Sequence, residues 1–348
     1  MENLLVTGGA GFIGSALLRL ILGNRDFRGH VLNLDNLTYA ANPRAIRSVA
    51  SDDRYSFSKT DIADLDAVRE VFRTFEPDTV IHLAAETHVD RSIEDPFEFV
   101  RTNVAGTCNL LEASMEMLAR KEGFRFIHVS TDEVYGSIPP GRAAKEGDAY
   151  APNSPYSASK AASDHMVRAW HVTYGLPVVT TNCTNNYGPY QYPEKLIPVM
   201  VLNALTGHSL PVYGDGSNVR DWLYVEDHVK AIVLAARRGR VGSTYNISGR
   251  AEKTNLELVQ SICGRLDEIS PRPDGKSYST QIEFVEDRPG HDHRYALDST
   301  KIERELDWVP EVSFEAGIRA TVDWYVRHAE EIMQTSGRAH AIRRGIVK

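Results

Sequence analysis

Cysteine is scarce in this chain: three residues in 348, at positions 108, 183 and 263. An odd number at wide spacing cannot form a disulfide framework and fits buried, reduced thiols in a cytoplasmic protein. Long hydrophobic runs are missing too. No apolar stretch approaches the roughly 18 to 20 residues that a bilayer span requires. The amino terminus has no basic stretch, and its short apolar run passes straight into glycines, so no signal peptide is expected. Positive charge is in deficit, with 39 Lys and Arg against 47 Asp and Glu and a formal net charge of −8. That balance argues against a nucleic-acid surface. No internal repeat or low-complexity segment stands out. What remains is a soluble globular composition, 42% hydrophobic and 25% charged, long enough for one large core or two smaller ones.

The first chemistry-bearing stretch lies at the amino terminus. Leu4-Leu5-Val6 reads as a short buried strand, and Thr7-Gly8-Gly9-Ala10-Gly11-Phe12-Ile13-Gly14 follows it into an amphipathic helix reaching Leu22. Glycines at 8, 11 and 14 permit a tight turn and close approach of backbone amides to a pyrophosphate, which the helix N-terminus favours. The next strand, Val31-Leu32-Asn33-Leu34, ends at Asp35, about 20 residues after the last of these glycines. A carboxylate there suits the ribose hydroxyls of a dinucleotide and repels a 2′-phosphate, so the spacing predicts NAD rather than NADP.

Strand and helix then keep alternating. Tyr55 to Lys59 is a strand leading to Asp61-Ile62, and Asp64 has the position of an N-cap for a helix reaching Phe75. Thr79 to Leu83 is another buried strand, ending at Ala84-Ala85-Glu86-Thr87, where small residues let the backbone pass close to a cofactor. His82 and His88 have no metal-ligand spacing and are read as structural, with no metal site expected. A long helix is expected from Asp95 through Asn103 to Met117. It and a later helix from Tyr156 to about Tyr174 carry apolar surface suited to pairing with a second subunit, or to packing within one chain.

Between those helices, the apolar run Phe126-Ile127-His128-Val129 leads into Ser130-Thr131-Asp132-Glu133-Val134-Tyr135-Gly136. Open α/β sheets place their ligand crevice at such a strand end. Tyr156 and Lys160 stand four residues apart, on one helix face. A phenol titrates near 10 in water, and a nearby ammonium favours its ionised form. Thr131 offers a hydroxyl to the same oxygen. Asp132 and Glu133 add an acid and a base. Taken singly, each motif has a plain reading, a helix face or a solvated loop. Downstream of a dinucleotide fingerprint, the combination predicts catalysis.

Beyond Asn182 the composition shifts to Pro, Gly and clustered aromatics, as in Tyr187-Gly188-Pro189-Tyr190-Gln191-Tyr192-Pro193. The expected organisation is a dinucleotide-binding domain over 1–186, a smaller substrate domain over 187–330, with some segments returning to the first domain, and a solvated, basic tail over 331–348. Arginines beside aromatics, as in Arg220-Asp221-Trp222-Leu223-Tyr224-Val225 and Asp287-Arg288-Pro289-Gly290-His291, suit an anionic ligand carrying a flat ring. Ordinary surface ion pairing is the competing reading.

Together these pieces resemble the extended short-chain dehydrogenase/reductases, and within them the nucleotide-sugar 4,6-dehydratases. The resemblance runs from the glycine loop to about Tyr325. The superfamily rests on Thr7 to Gly14 with Tyr156 and Lys160. The branch rests on Thr131-Asp132-Glu133, in place of the Ser-rich stretch of the 4-epimerases. Asn182-Cys183-Thr184-Asn185-Asn186-Tyr187-Gly188-Pro189, Glu194-Lys195-Leu196-Ile197-Pro198 and the two arginine segments support it.

The resemblance implies an α/β fold: a Rossmann-type doubly wound parallel sheet with a smaller, mixed α/β C-terminal domain. It implies Tyr156 as the base for a sugar 4-hydroxyl, supported by Thr131 and Lys160, with Glu133 taking the C5 proton and Asp132 protonating the departing 6-hydroxyl. For NAD it implies Gly8, Gly11, Phe12, Ile13, Gly14, Asp35, Asn36, Thr38, Asp61, Ile62, Leu83, Ala84, Ala85, Thr87, Thr102 and Asn186, beside Tyr156 and Lys160. For the nucleoside diphosphate and sugar it implies Thr87, Thr131, Asn185, Lys195, Leu196, Pro211, Tyr213, Arg220, Asn255, Arg288 and His291. The implied substrate is dTDP-glucose, although a few members take UDP-glucose, and the implied assembly is a homodimer joined through a four-helix bundle. Two other readings share part of the pattern. An epimerase or reductase has no use for the Asp-Glu pair, and a dinucleotide sensor needs no tyrosine base.

Overall fold

The computed structural model describes residues 1–336. Strand and helix alternate through the first half as β1 (Asn3–Thr7), α1 (Phe12–Gly23), β2 (His30–Asp35), β3 (Tyr55–Lys59), α2 (Leu65–Phe75), β4 (Thr79–His82), α3 (Val89–Glu94), α4 (Pro96–Phe99), α5 (Thr107–Leu118), β5 (Arg125–Thr131), α6 (Pro155–Tyr174) and β6 (Val178–Cys183). The chain continues as β7 (Asn185–Tyr187), α7 (Leu196–Leu205), β8 (Leu210–Tyr213), β9 (Val219–Tyr224), α8 (Val225–Arg238), β10 (Thr244–Ile247), β11 (Glu252–Thr254), α9 (Asn255–Ile269), β12 (Ile282–Val285), α10 (Thr300–Leu306) and α11 (Phe314–Ser336).

Seven strands form one parallel sheet in the order β10-β6-β5-β4-β1-β2-β3. Its two faces follow from side-chain alternation along each strand. Leu4 and Val6 of β1 point into a core completed by Leu17, Leu18 and Ile21 of α1 and by Val229, Ile232 and Ala235 of α8. Leu5, between them, points to the opposite core with Phe72 of α2, Leu110 and Leu111 of α5, and Val167 of α6. Both faces are covered, as a parallel sheet requires. The order of strand addition reverses at β1, which lies between β2 and β4, so a crevice opens at their carboxyl ends.

Smaller sheets build the second unit. β9 pairs antiparallel with β11 and parallel with β7, while β8 pairs parallel with β12. Their core gathers Tyr187, Met200, Trp222, Leu258 and Tyr325. The unit is not contiguous in the chain. α8, β10 and α10 lie within 187–330, yet all three pack into the first core, through Val229, Ile247 and Ile302 among others.

Two expectations need correcting. Residues from 331 onward do not begin a tail, because α11 runs on to Ser336, and Ile332 packs against the second core. The apolar periodicity that holds Val322 and Tyr325 inside simply continues past 331. The rest of the expected tail, 337–348, lies outside the described residues. The helix expected from Asp95 to Met117 is regular only at its ends, since Val100–Gly106 is π-helical. Such a bulge re-aims side chains, and here Asn103 sits buried beneath α6. It accepts from Glu86 N (2.8 Å) and donates to Glu86 O (3.0 Å) and Ser159 Oγ (2.9 Å).

The start of α6 is sharply defined. Ser154 Oγ accepts from Ser157 N (3.1 Å), and Ser157 Oγ accepts from Ser154 N (3.0 Å), a reciprocal capping box with Pro155 at the first helical position. Gly175 closes the helix at φ 75°, where a side chain would be strained. Ser154→Ala removes one capping acceptor directly before Tyr156. It is expected to lower folding stability by about 1 kcal/mol, read as a shift in the denaturant midpoint.

Candidate active site

The glycine loop makes the tightest backbone approach in the crevice. Gly8 has φ 72°, and a Cβ there would lie 2.7 Å from Ala84 N, while one on Gly14 would collide with the Gly8 carbonyl. Asp35 closes β2 with both oxygens engaged, Oδ2 by Ala10 N (2.9 Å) and Oδ1 by Leu37 N (2.8 Å). Burial raises its pKa, and the two amide bonds oppose that shift. A cavity of about 320 Å³ opens beside these groups. Every residue that the sequence assigned to the dinucleotide lines it: the three glycines, Phe12, Ile13, Asp35, Asn36, Thr38, Asp61, Ile62, Leu83, Ala84, Ala85, Thr87, Thr102 and Asn186. The residues therefore fit a dinucleotide, with bare backbone where a pyrophosphate would lie against α1 and a carboxylate where a ribose would end.

Thr131, Asp132, Glu133, Tyr156 and Lys160 line the same cavity. β5 carries the first three to its end. The chain then tightens into a 3-10 turn over Asp132–Tyr135 and leaves through Gly136 at φ 70°. Thr131 Oγ1 accepts from Glu133 N (3.3 Å) and donates to Asp132 Oδ1 (3.2 Å), and its hydroxyl is near enough to the Tyr156 phenol to favour its ionised form. Lys160 Nζ donates to Val129 O (2.9 Å) on the same strand. Asp132, Thr131, Tyr156 and Lys160 are buried, and Glu133 is half-buried.

Burial dominates the electrostatics. Asp132 is pushed well above the usual carboxylate range, first by desolvation and then by the neighbouring Glu133 charge, with Arg220 opposing. Its Oδ2 has no hydrogen-bond partner. Glu133 is also raised by burial, but Arg288, Arg220 and Lys195 all pull it down. The pair is thus biased toward a protonated Asp132 beside a Glu133 that nearby cations help to ionise. Spacing alone predicted that Lys160 would acidify Tyr156. Instead the phenol is pushed well up by burial and by Glu133, with only the Thr131 hydrogen bond among the main influences lowering it. Lys160 itself is lowered by burial, against the opposing charge of Asp164.

Of the residues assigned to the nucleotide sugar, Thr87, Thr131, Asn185 and Lys195 line this cavity, and Lys195 Nζ donates to Thr87 O (2.8 Å). The others gather on the second unit. Tyr213 and Arg288 both donate to Asp90, each at 3.2 Å, and the Tyr213 ring stands edge-on to His291 at 6.0 Å. Arg220 is no surface residue. It is 5% exposed, lies over the Tyr295 ring and donates to the Val219, Asp292 and His293 carbonyls. Leu196 opens α7, Pro211 lies in β8 and Asn255 opens α9, its N–H donating to Asn218 O (2.9 Å).

Sequence reasoning assigned no role to Cys183, Tyr39, Glu194 or Arg91. Cys183 lines the cavity beside Tyr156, its Sγ 3.5 Å from Ser130 O and 3.3 Å from Asn186 Nδ2, and burial pushes its thiol up to about 12. Tyr39 donates to Glu194 (3.1 Å) across 155 residues of chain, with Arg91 stacked on its ring. No spacing rule reaches that far.

A fold of this kind, with a dinucleotide crevice, a helix-borne Tyr-Lys pair and an acid pair at a strand end, has known relatives. The chain belongs to the family described as GDP-mannose 4,6 dehydratase, which matches residues 5–321. Within it the chain is similar to dTDP-glucose 4,6-dehydratases. It is 55% identical over 335 residues to that of Haemophilus influenzae, covering 94% of this chain and 98% of the relative. Among solved structures, the dTDP-glucose 4,6-dehydratase of Streptomyces venezuelae with NAD and dTDP bound superposes with a TM-score of 0.86 at 46% identity, covering 94% of this chain and 98% of the other. That of Bacillus anthracis in complex with NAD gives 0.84 at 44%, covering 95% and 98%.

The raised pKa of Asp132 has a signed consequence. A carboxyl group with a higher pKa folded than unfolded is tolerated below its unfolded value and destabilises progressively as pH rises toward its folded one. Asp132→Asn is therefore expected to stabilise the ligand-free protein more at pH 8 than at pH 4, measured by denaturant unfolding at both values. An equal effect at the two pH values would place the Asp132 burden elsewhere.

Proposed function

We propose that the protein is an NAD-dependent hydro-lyase that converts dTDP-glucose to dTDP-4-keto-6-deoxyglucose and water. One observation carries the reading: an acid pair, Asp132 and Glu133, shares a desolvated cavity with the Tyr156 phenol and with a glycine loop built for a dinucleotide. A plain alcohol dehydrogenation or an epimerisation needs the second and third of these but not the first.

Held by the glycine loop and Asp35, NAD would supply a reversible hydride acceptor, taking from C4 of the sugar and giving back at C6. Tyr156 takes the proton of the 4-hydroxyl, with Thr131 hydrogen-bonded to its oxygen and Lys160 supplying positive charge from one helical turn away. The resulting C4 ketone acidifies the neighbouring C5–H. Glu133 removes that proton, its ionised form favoured by Arg288, Arg220 and Lys195. Asp132, held protonated by burial, gives its proton to the departing 6-hydroxyl, which leaves as water. Hydride return to C6 leaves an enolate, and Glu133 gives its proton to C5 so that the C4 ketone re-forms; the proton gained by Tyr156 leaves to solvent and Asp132 takes one back, which resets the site.

The nucleoside diphosphate binds on the second unit, between Lys195 and the Arg220, Arg288 and His291 group. Charge-assisted contacts of guanidinium to diphosphate suit an otherwise acidic chain. The enzyme acts in the cytoplasm as a homodimer. Support for the first comes from three unpaired thiols. Support for the second comes from exposed apolar side chains, Phe97 and Val100 ahead of α5 and Val172 and Tyr174 at the end of α6. No helix among the described residues is long and apolar enough to cross a membrane.

Incubation with dTDP-glucose and NAD is expected to yield the 4-keto-6-deoxy sugar, and deuterium placed at C4 is expected at C6 of the same molecule. Washout of that label to solvent would defeat the mechanism. UDP-glucose in parallel reads the base preference. Asp132→Asn with Glu133→Gln should still oxidise C4 and then stall, so that reduced cofactor builds up by its absorbance while product formation falls by orders of magnitude. Tyr156→Phe should accumulate no reduced cofactor at all. A double variant that dehydrates at the parent rate would remove both carboxyl groups from the reaction.

Asp35 sets the cofactor. NADP is expected to bind at least about tenfold more weakly than NAD, because its 2′-phosphate meets a buried carboxylate. Titrations giving equal dissociation constants would contradict that assignment.

A further inference from the structure

Behind the reacting groups lies a buried carboxylate that the reaction scheme leaves unused. Asp164 stands one turn beyond Lys160 on α6 and is 5% exposed. Three side chains point hydrogens at it: His128 Nε2 at 2.9 Å, Ser130 Oγ at 2.9 Å and Tyr150 Oη at 3.0 Å. Tyr150 Oη in turn accepts from Asn182 Nδ2 at 3.2 Å. Since a carboxylate only accepts, Nε2 must carry the imidazole proton. His128 Nδ1 has no partner, and burial holds this ring neutral. The carboxylate is therefore surrounded by neutral donors, an arrangement that suits an anion.

Two of the donors come from β5. Ser130 directly precedes Thr131-Asp132-Glu133, so its bond to Asp164 ties the strand end to the helix that bears Tyr156 and Lys160. The ammonium itself donates to Val129 O. The groups that face it are His82 of β4 and His128 of β5, both neutral, Cys183 of β6, held as thiol, and Asp164 of α6. Asp164 is the carboxyl group among them, and it accepts from three donors.

The geometry points to Asp164 as a positioning residue for the redox step. It keeps Lys160 charged inside a dry crevice, and through Ser130 it fastens the carboxyl pair to the Tyr-Lys helix. This role rests on the proposed dehydratase reading, in which Lys160 supports Tyr156. Desolvation favours a neutral lysine. Without the carboxylate the neutral amine becomes the stable form at lower pH, and the phenol loses its supporting charge.

The test reads Lys160 directly. Protein labelled with carbon-13 at the lysine ε-position is titrated by NMR without cofactor or substrate, and the Lys160 signal is assigned by its loss in Lys160→Met. Asp164→Asn is expected to move the Lys160 titration to lower pH. Asp164→Ser is a second charge-removing variant should the amide not fold. Asp164→Glu is expected to restore the parent titration. Tyr150→Phe, which removes one donor and keeps the charge, should lower the melting temperature and leave the lysine titration in place. In the loaded enzyme, the alkaline limb of single-turnover C4 oxidation should move down with the lysine. If both charge-removing variants titrate like the parent, or if Tyr150→Phe moves Lys160 as far as they do, the role is refuted. If the lysine shifts but no 4-keto product ever forms in the parent, the dehydratase reading fails and the electrostatic role of Asp164 stands.

Discussion

Four ionisable groups share one desolvated crevice in this protein, and water is the solvent each of them would favour. Asp132, Tyr156 and Lys160 are displaced from their ordinary titration ranges by burial before any neighbour acts, and so is Glu133. The surrounding structure works against that tendency selectively. Cations from the second unit favour an ionised Glu133, Asp164 favours a charged Lys160, and Arg220 with the Thr131 hydroxyl relieves Asp132. Two adjacent carboxyl groups on one strand end are thereby biased toward different protonation states, the arrangement an elimination needs. The same desolvation strengthens every charge interaction in the crevice.

Much of this was legible in the sequence. The glycine loop, the Asp35 strand end and the alternation of strand and helix pointed to the parallel sheet and to the residues that line its crevice, because close backbone approach and burial leave local signatures. Tyr156 and Lys160 could be paired by helical spacing, and the boundaries of α6 by Ser154 and Gly175. The strand-end acid pair was visible as residue types, though not as electrostatics. Spacing predicted an acidified phenol, whereas depth of burial decides its pKa, and depth is a property of the assembled layers.

What escaped was nonlocal. That some segments would return to the first unit was expected, but not which: α8 and β10 carry no mark in composition, since a helix that covers a parallel sheet looks like any amphipathic helix. The π-helical turn at Val100–Gly106 is stabilised by what Asn103 reaches, the Glu86 backbone and Ser159, and those partners lie 17 and 56 residues away. Tyr39 and Glu194 meet only because two loops from different units face each other over the crevice. Near the end of α11, Ile332 packs against the second core, a contact that no local signal announces.

The interleaving of the two units bears on how such a protein can be cut or inherited. β9 ends at Tyr224 and α8 begins at Val225, so the floor of the substrate side runs into a helix of the cofactor side without an intervening linker. A chain severed after β6 would lack both α8, which covers one face of the sheet, and β10, which pairs with the β6 edge. It would present Val178–Cys183 as an open, apolar border, ready to associate with other chains. Neither half is a portable module. Recombination that exchanged substrate sides between relatives would have to exchange several separate segments at once, so changes of specificity in such a scaffold should accumulate by point substitution on a fixed frame.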